Sequence, residues 1–169
     1  MAEAALDTAP AASGPGHPGL ARLIALLLPL ALLGGAMGSQ YFGGLIPCEM
    51  CIWQRWPHAA AIVLAALAFT APAASDRSRT LTLLAAAAIA ISGAIGIYHA
   101  GVELGIFEGV TTCTAGGAMT LDQIMNVPLV RCDEVQWAFL GISMAGWNAI
   151  LSLGGAVLIF VLSRKRVRA

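Results

Sequence analysis

Four cysteines occur in this chain of 169 residues, and they fall into two pairs. Cys48 and Cys51 form a tight motif, Pro47-Cys48-Glu49-Met50-Cys51, that runs straight into Gln54-Arg55. Cys-x-x-Cys thiols often have a depressed pKa. Cys51 reads as lying near the N-terminus of a helix, where the backbone dipole is positive. Arg55, four residues on, shares its helical face and cannot be titrated to neutrality. Cys51 is therefore the expected thiolate, with Arg55 supporting it rather than serving only as a headgroup anchor. Cys48 reads as lying further out, open to attack by another thiol. The second pair, Cys113 and Cys132, is spread over a long loop. The run Thr114-Ala115-Gly116-Gly117-Ala118 gives Cys113 an accessible setting, whereas Cys132 is tethered close to an apolar run. One exposed sulfur and one anchored sulfur suit a relay, in which the outer one meets a soluble partner and the inner one reaches toward Cys48.

A redox argument weighs this against two static bridges. Structural disulfides lie below about −300 mV, and a strongly oxidising thiol protein sits near −120 mV. Re-oxidising such a partner with an ordinary bridge is uphill by roughly 180 mV, or about 8 kcal/mol for two electrons. Repeated turnover therefore needs an external acceptor, and a dithiol at a membrane mouth points to one dissolved in lipid. Zinc is the other common use of Cys with His, but metal spacing usually repeats a close pair. Cys113 and Cys132 are far apart, so no metal is expected.

The elements that must hold these cysteines are membrane spans. The composition is 59% hydrophobic and 11% charged, against about 25% charged in soluble domains. Uncharged runs near 20 residues occur at Leu23–Phe42, Trp56–Ala74, Leu81–Tyr98 and Trp137–Leu162. Each satisfies its own backbone as a helix, as lipid demands. The expected fold is an all-α four-helix transmembrane bundle over residues 20–163, its small residues (Gly34, Gly38, Ser92, Gly93, Gly96, Gly141, Gly154, Gly155) permitting close packing. Of the basic residues, Arg22, Arg77, Arg79, Arg164, Lys165, Arg166 and Arg168 fall on one side, and Arg55 and Arg131 on the other. By the positive-inside rule both termini are cytoplasmic and all four cysteines face a disulfide-permissive compartment such as a periplasm.

Two periplasmic loops follow, at about 41–55 and 99–134. In the second, Leu121, Ile124, Met125, Pro128 and Leu129 form an apolar stripe behind a Thr120/Gln123 capping box, which predicts a short amphipathic helix. Residues 1–19 read as a disordered cytoplasmic tail, and 164–169 as a basic one. Acidic residues before the first span argue against its being a cleaved signal peptide. The zero formal net charge gives no reason to expect a nucleic-acid partner.

The run Leu45-Ile46-Pro47-Cys48-Glu49-Met50-Cys51-Ile52-Trp53-Gln54-Arg55 resembles the disulfide bond formation protein B (DsbB) family of bacterial inner-membrane quinone reductases. The resemblance continues through Tyr98-His99-Ala100-Gly101-Val102-Glu103 and Thr112-Cys113. It resumes at Arg131-Cys132-Asp133-Glu134-Val135-Gln136-Trp137-Ala138-Phe139-Leu140-Gly141. It implies a thiol:quinone oxidoreductase that re-oxidises a periplasmic thioredoxin-like dithiol oxidase (DsbA-like) and reduces ubiquinone or menaquinone. It also implies a mixed disulfide at Cys113, attack of Cys132 on Cys48, a Cys51 thiolate against the quinone, and quinone-site roles for Arg55 and His99. Gln54 departs from relatives with an acid there and is assigned no proton role. Two alternatives stand beside this reading: a related relay running in the reductive direction, and a membrane scaffold or carrier with static disulfides. The span interiors lack the charges a carrier would favour.

Overall fold

A computed structural model describes residues 17–109 and 130–164. It contains four helices among those residues: α1 (Pro18–Tyr41), α2 (Glu49–Ala68), α3 (Asp76–Glu103) and α4 (Met144–Leu162). Local chemistry sets most of their starts. Pro18 opens α1, at the position where its missing N–H costs nothing. Ser75 and Ser143 cap α3 and α4, accepting from Ser78 N at 3.2 Å and Gly146 N at 3.1 Å. Cys48 caps α2 in the same manner, its sulfur accepting from Cys51 N at 3.3 Å.

Three of these helices, α1, α3 and α4, are long and apolar enough to cross a membrane. The second expected span is displaced. Its helix begins at Glu49 rather than Trp56, because the cysteine cap starts it early, and it ends at Ala68 rather than Ala74. Its first half therefore carries Glu49, Gln54, Arg55 and His58. The fourth helix starts at Met144 rather than Trp137, because a hairpin precedes it. Strand β1 (Ala138–Phe139) pairs antiparallel with β2 (Ile142–Ser143), in the register Ala138↔Ser143 and Phe139↔Ile142. Leu140 and Gly141 turn the chain with φ of 52° and 76°, the pair of positive angles that a two-residue hairpin turn requires. Trp137, Phe139 and Trp147 stack beside it, and Trp147 Nε1 donates to Phe139 O at 3.1 Å.

The helices run alternately up and down, so the Cys48–Cys51 turn and Cys132 meet at one end. At the opposite end Arg22 Nη1 donates to Ala71 O at 3.1 Å, and Arg79 Nε donates to Ser163 O at 2.8 Å. Helix α3 is central, and the core between the ends is mostly alanine: Ala21, Ala25, Ala61, Ala65, Ala85, Ala86 and Ala156, with Ile89 and Ile159. Of the small residues expected at helix contacts, Gly93, Gly96 and Gly155 lie at interfaces, whereas Gly34, Gly38 and Gly154 face open space. A Cβ on Gly96 would lie 3.0 Å from Ala145 O, so α3 and α4 meet there backbone to backbone. The N-terminal tail, the basic C-terminal residues from Lys165, Cys113 and the expected amphipathic helix all lie outside the described residues.

Candidate functional site

The tight pair is built by the first turn of α2. Capping folds the Cys48 sulfur back over that turn, 3.0 Å from the Cys51 sulfur. Cys48 is buried and Cys51 half-buried, so Cys48 is not the outward-facing sulfur that its position in the motif suggests. The contact divides one proton unevenly. Hydrogen bonding to Cys51, and then burial, push the Cys48 thiol up to about 12. Cys51 lies in the polar first turn of α2, where the helix N-terminus favours negative charge. Cys51 is the sulfur equipped to carry negative charge.

Cys132 is fully buried in the same cluster as Cys48, Met50 and Val102. Its carbonyl and the Cys48 sulfur share one neighbour, His99 Nε2, at 3.2 and 3.6 Å. His99 stands in the last turns of α3, which continues to Glu103, and is not part of the following connection. The Glu103 carboxylate lies 3.9 Å from the same Nε2.

A line of hydrogen bonds behind His99 fixes which ring nitrogen holds the proton. Asn148 Nδ2 donates to Gln54 Oε1 at 2.8 Å. The Gln54 amide nitrogen therefore faces Met50 O at 3.2 Å and His99 Nδ1 at 2.9 Å. His99 Nδ1 must accept, which leaves the proton on Nε2, pointing at Cys48 and Cys132. Asn148 Oδ1 in turn accepts from His58 Nε2 and Ser152 Oγ, each at 2.9 Å. Ser92 Oγ donates to Gln54 O at 2.8 Å. These groups are held in a low-dielectric interior, where leaving one unpaired costs about 1–3 kcal/mol.

Sequence reasoning gave Gln54 no proton role, read Ser92 only as a small packing residue, and did not single out His58, Asn148 or Ser152. It looked for formal charges in the spans and found none, but polar and ionisable side chains at that depth carry the same signal. His58, one turn beyond Gln54, and Asn148, in an apolar run, were the available clues.

Arg55 is turned toward α1. Its Nη1 donates to Gln40 Oε1 at 2.6 Å, and its Nη2 to Ala36 O at 3.4 Å. Between these helices and α4, at the cysteine end, lies a cavity of about 450 Å³, within the usual range for small-molecule sites. Apolar residues such as Leu32, Leu45, Pro47, Trp137 and Met144 supply much of its wall, and Cys51, Gln54, Arg55, His58, His99 and Glu103 its chemistry. Arg55 Nε and His58 Nδ1 are buried without hydrogen-bond partners among the described residues. The structure thus brings Cys48, Cys51, Cys132, Arg55 and His99 to one place. Arg131, also in the cavity wall, holds Asp133 through two hydrogen bonds of 3.0 and 2.5 Å.

Residues 19–162 match the family model described as "Disulfide bond formation protein DsbB". The chain belongs to the DsbB family. Among curated relatives it is similar to disulfide bond formation protein B of a Polaromonas species, 30% identical over 86% of this chain and 94% of that one. It is also similar to the proteins of that name from Methylococcus capsulatus (36% identical, covering 78% and 85%) and Chromohalobacter salexigens (33%, covering 82% and 84%). No solved structure matches the chain. Family and apolar helices together make it a multi-pass membrane protein of disulfide-bond formation, in which the relay chemistry of the paired cysteines has a natural place.

Proposed function

We propose that this chain re-oxidises a periplasmic, thioredoxin-like dithiol oxidase of DsbA type and passes the electrons to ubiquinone or menaquinone in the bacterial inner membrane. In this reading α2 is the fourth span, residues 20–163 form the bundle, both termini are cytoplasmic, and the cysteine end faces the periplasm. The observation that carries it is a shared wall: Cys51 and Arg55 line one largely apolar cavity beside the buried meeting point of Cys48 and Cys132.

The cavity suits a quinone ring. It is apolar enough to take one from lipid, and Arg55 stands in its wall as a cation and hydrogen-bond donor for a quinone carbonyl. Bound there, the quinone supplies a two-electron, two-proton acceptor. The remaining chemistry belongs to the chain. A partner thiolate attacks the Cys113–Cys132 bond and is joined to Cys113, releasing Cys132. Cys132 attacks Cys48, and Cys51 leaves as the thiolate. His99 assists by donating from Nε2 toward the Cys48 sulfur and the Cys132 carbonyl, which keeps the two reacting residues side by side. The helix N-terminus stabilises charge on Cys51 as it leaves. The partner's second thiol then attacks the mixed disulfide and expels Cys113 as a thiolate; Cys113 attacks Cys132 and releases Cys48, which restores the Cys113–Cys132 bond and leaves the two electrons on the Cys48–Cys51 dithiol.

Membranes carrying Cys51→Ser test this directly. Reduced partner should drive no quinone reduction, a loss of at least about 10³-fold of the kind seen when an essential nucleophile is removed, with protein abundance unchanged. Rapid reduction by the variant would refute the electron exit assigned to Cys51. Quinone depletion should leave the wild-type cysteines reduced; cysteines that stay oxidised would instead favour static bridges or flow in the opposite direction.

A further inference from the structure

The fold creates a donor cluster that spacing along the chain conceals. The sulfurs of Cys48 and Cys51 and Nε2 of His99 all lie within 4.8 Å of one another. The Cys48–His99 separation is 3.6 Å. A tetrahedral zinc ion, at its usual bond lengths, holds a sulfur and a nitrogen donor about 3.6 Å apart and two sulfurs about 3.8 Å apart. The nitrogen is thus already at zinc spacing from Cys48, while Cys51 lies within 4.8 Å of it and the sulfurs, at 3.0 Å, need to part by about 0.8 Å. A further carboxylate stands beside His99, outside that group of three. The Glu103 side chain is 7% exposed, one oxygen is 3.9 Å from His99 Nε2, and the other has no hydrogen-bond partner among the described residues.

We propose that the reduced Cys48–Cys51 dithiol, with His99 and Glu103, captures a thiophilic divalent cation of the zinc and cadmium type. Capture is a ligand exchange without change of oxidation state: two S–H bonds break, two metal–sulfur bonds form and two protons leave. His99 Nε2 gives up its hydrogen and Nδ1 gains one; the Gln54 amide must then turn its oxygen toward the ring and give up its bond from Asn148 Nδ2. Histidine ligands commonly rest on such an acceptor. Once the two sulfurs are bonded to each other they are no longer thiolates, so the oxidised protein has no such site. Resting on the function proposed above, the consequence is a state-selective brake. Metal blocks molecules waiting for an acceptor and spares those already oxidised.

The test uses the full-length protein in detergent, with Cys113→Ala and Cys132→Ala so that only the tight pair remains. After reduction with a phosphine and desalting, Cd²⁺ is titrated and thiolate-to-cadmium absorption is followed. One ion per chain is expected in the reduced form and none after oxidation. Adding His99→Ala or the near-isosteric Glu103→Gln should each weaken binding about tenfold or more. Absence of the absorption band, equal binding by oxidised protein, or unchanged affinity in both variants would overturn the site. Quinone reduction by metal-free wild-type protein is measured separately, so either proposal can fail without the other.

Discussion

Helix α2 contains two helices' worth of chemistry. From Cys48 to His58 it presents sulfur, amide, guanidinium and imidazole to a cavity and to buried polar partners. From Ala59 onward it presents mostly alanine to the bundle, with Ala61, Ala65 and Ala68 fully buried. The first part spends its packing on groups that must be oriented. The second lets backbones approach closely, the main source of helix association in lipid. Changes in the two parts should therefore separate cleanly, the first disturbing turnover more than folding and the second the reverse.

After removal of the Cys51 sulfur, the largest expected effect is from Arg55→Ala, which takes a cation from the cavity wall. The apparent KM for quinone should rise about tenfold or more, about 1.4 kcal/mol, with membrane abundance nearly unchanged; an unaltered KM would detach Arg55 from the cavity. Gln54→Leu comes next. It leaves His99 Nδ1 and an Asn148 N–H without their partners, lowering stability by about 1–3 kcal/mol. It also frees the His99 proton from Nε2, which ¹⁵N shifts of the ring would register as a change of tautomer. In the alanine half, Ala65→Leu overfills a closed interface and should cost about 1–3 kcal/mol in thermal denaturation while leaving the quinone KM alone. Val63→Ala is the smallest. That side chain is 58% exposed, and its loss should stay within about 0.5 kcal/mol. A large activity loss from either alanine-half variant would break the division.

How much of this was written legibly in the chain depends on which force decided each feature. The cysteine spacing, the Gln54-Arg55 sequel and the apolar runs are local, and they brought Cys48, Cys51 and Arg55 together on paper. That a helix starts near Cys51 was legible too, but its cap was not, because a sulfur acts there as the capping acceptor and cysteine is not among the usual caps. The hairpin before α4 was hidden because Trp137, Ala138, Phe139, Leu140 and Ile142 are as apolar as the span they precede. Only Leu140-Gly141 marked the turn, and leucine rarely adopts positive φ. Gln54, His99 and Asn148 come from three helices, 45 and 94 residues apart in the two bonds that join them. No single window contains that arrangement, though an asparagine inside an apolar run was a sign that something had to pair with it.

The cap on α2 has one more consequence. The atom that finishes the helix is also a redox atom, so the secondary structure of that turn is tied to the oxidation state of the protein. In the proposed relay, each change in the covalent bonding of the Cys48 sulfur alters the acceptor held out to the Cys51 amide, so that the passage of electrons is felt in the hydrogen bond that opens the helix.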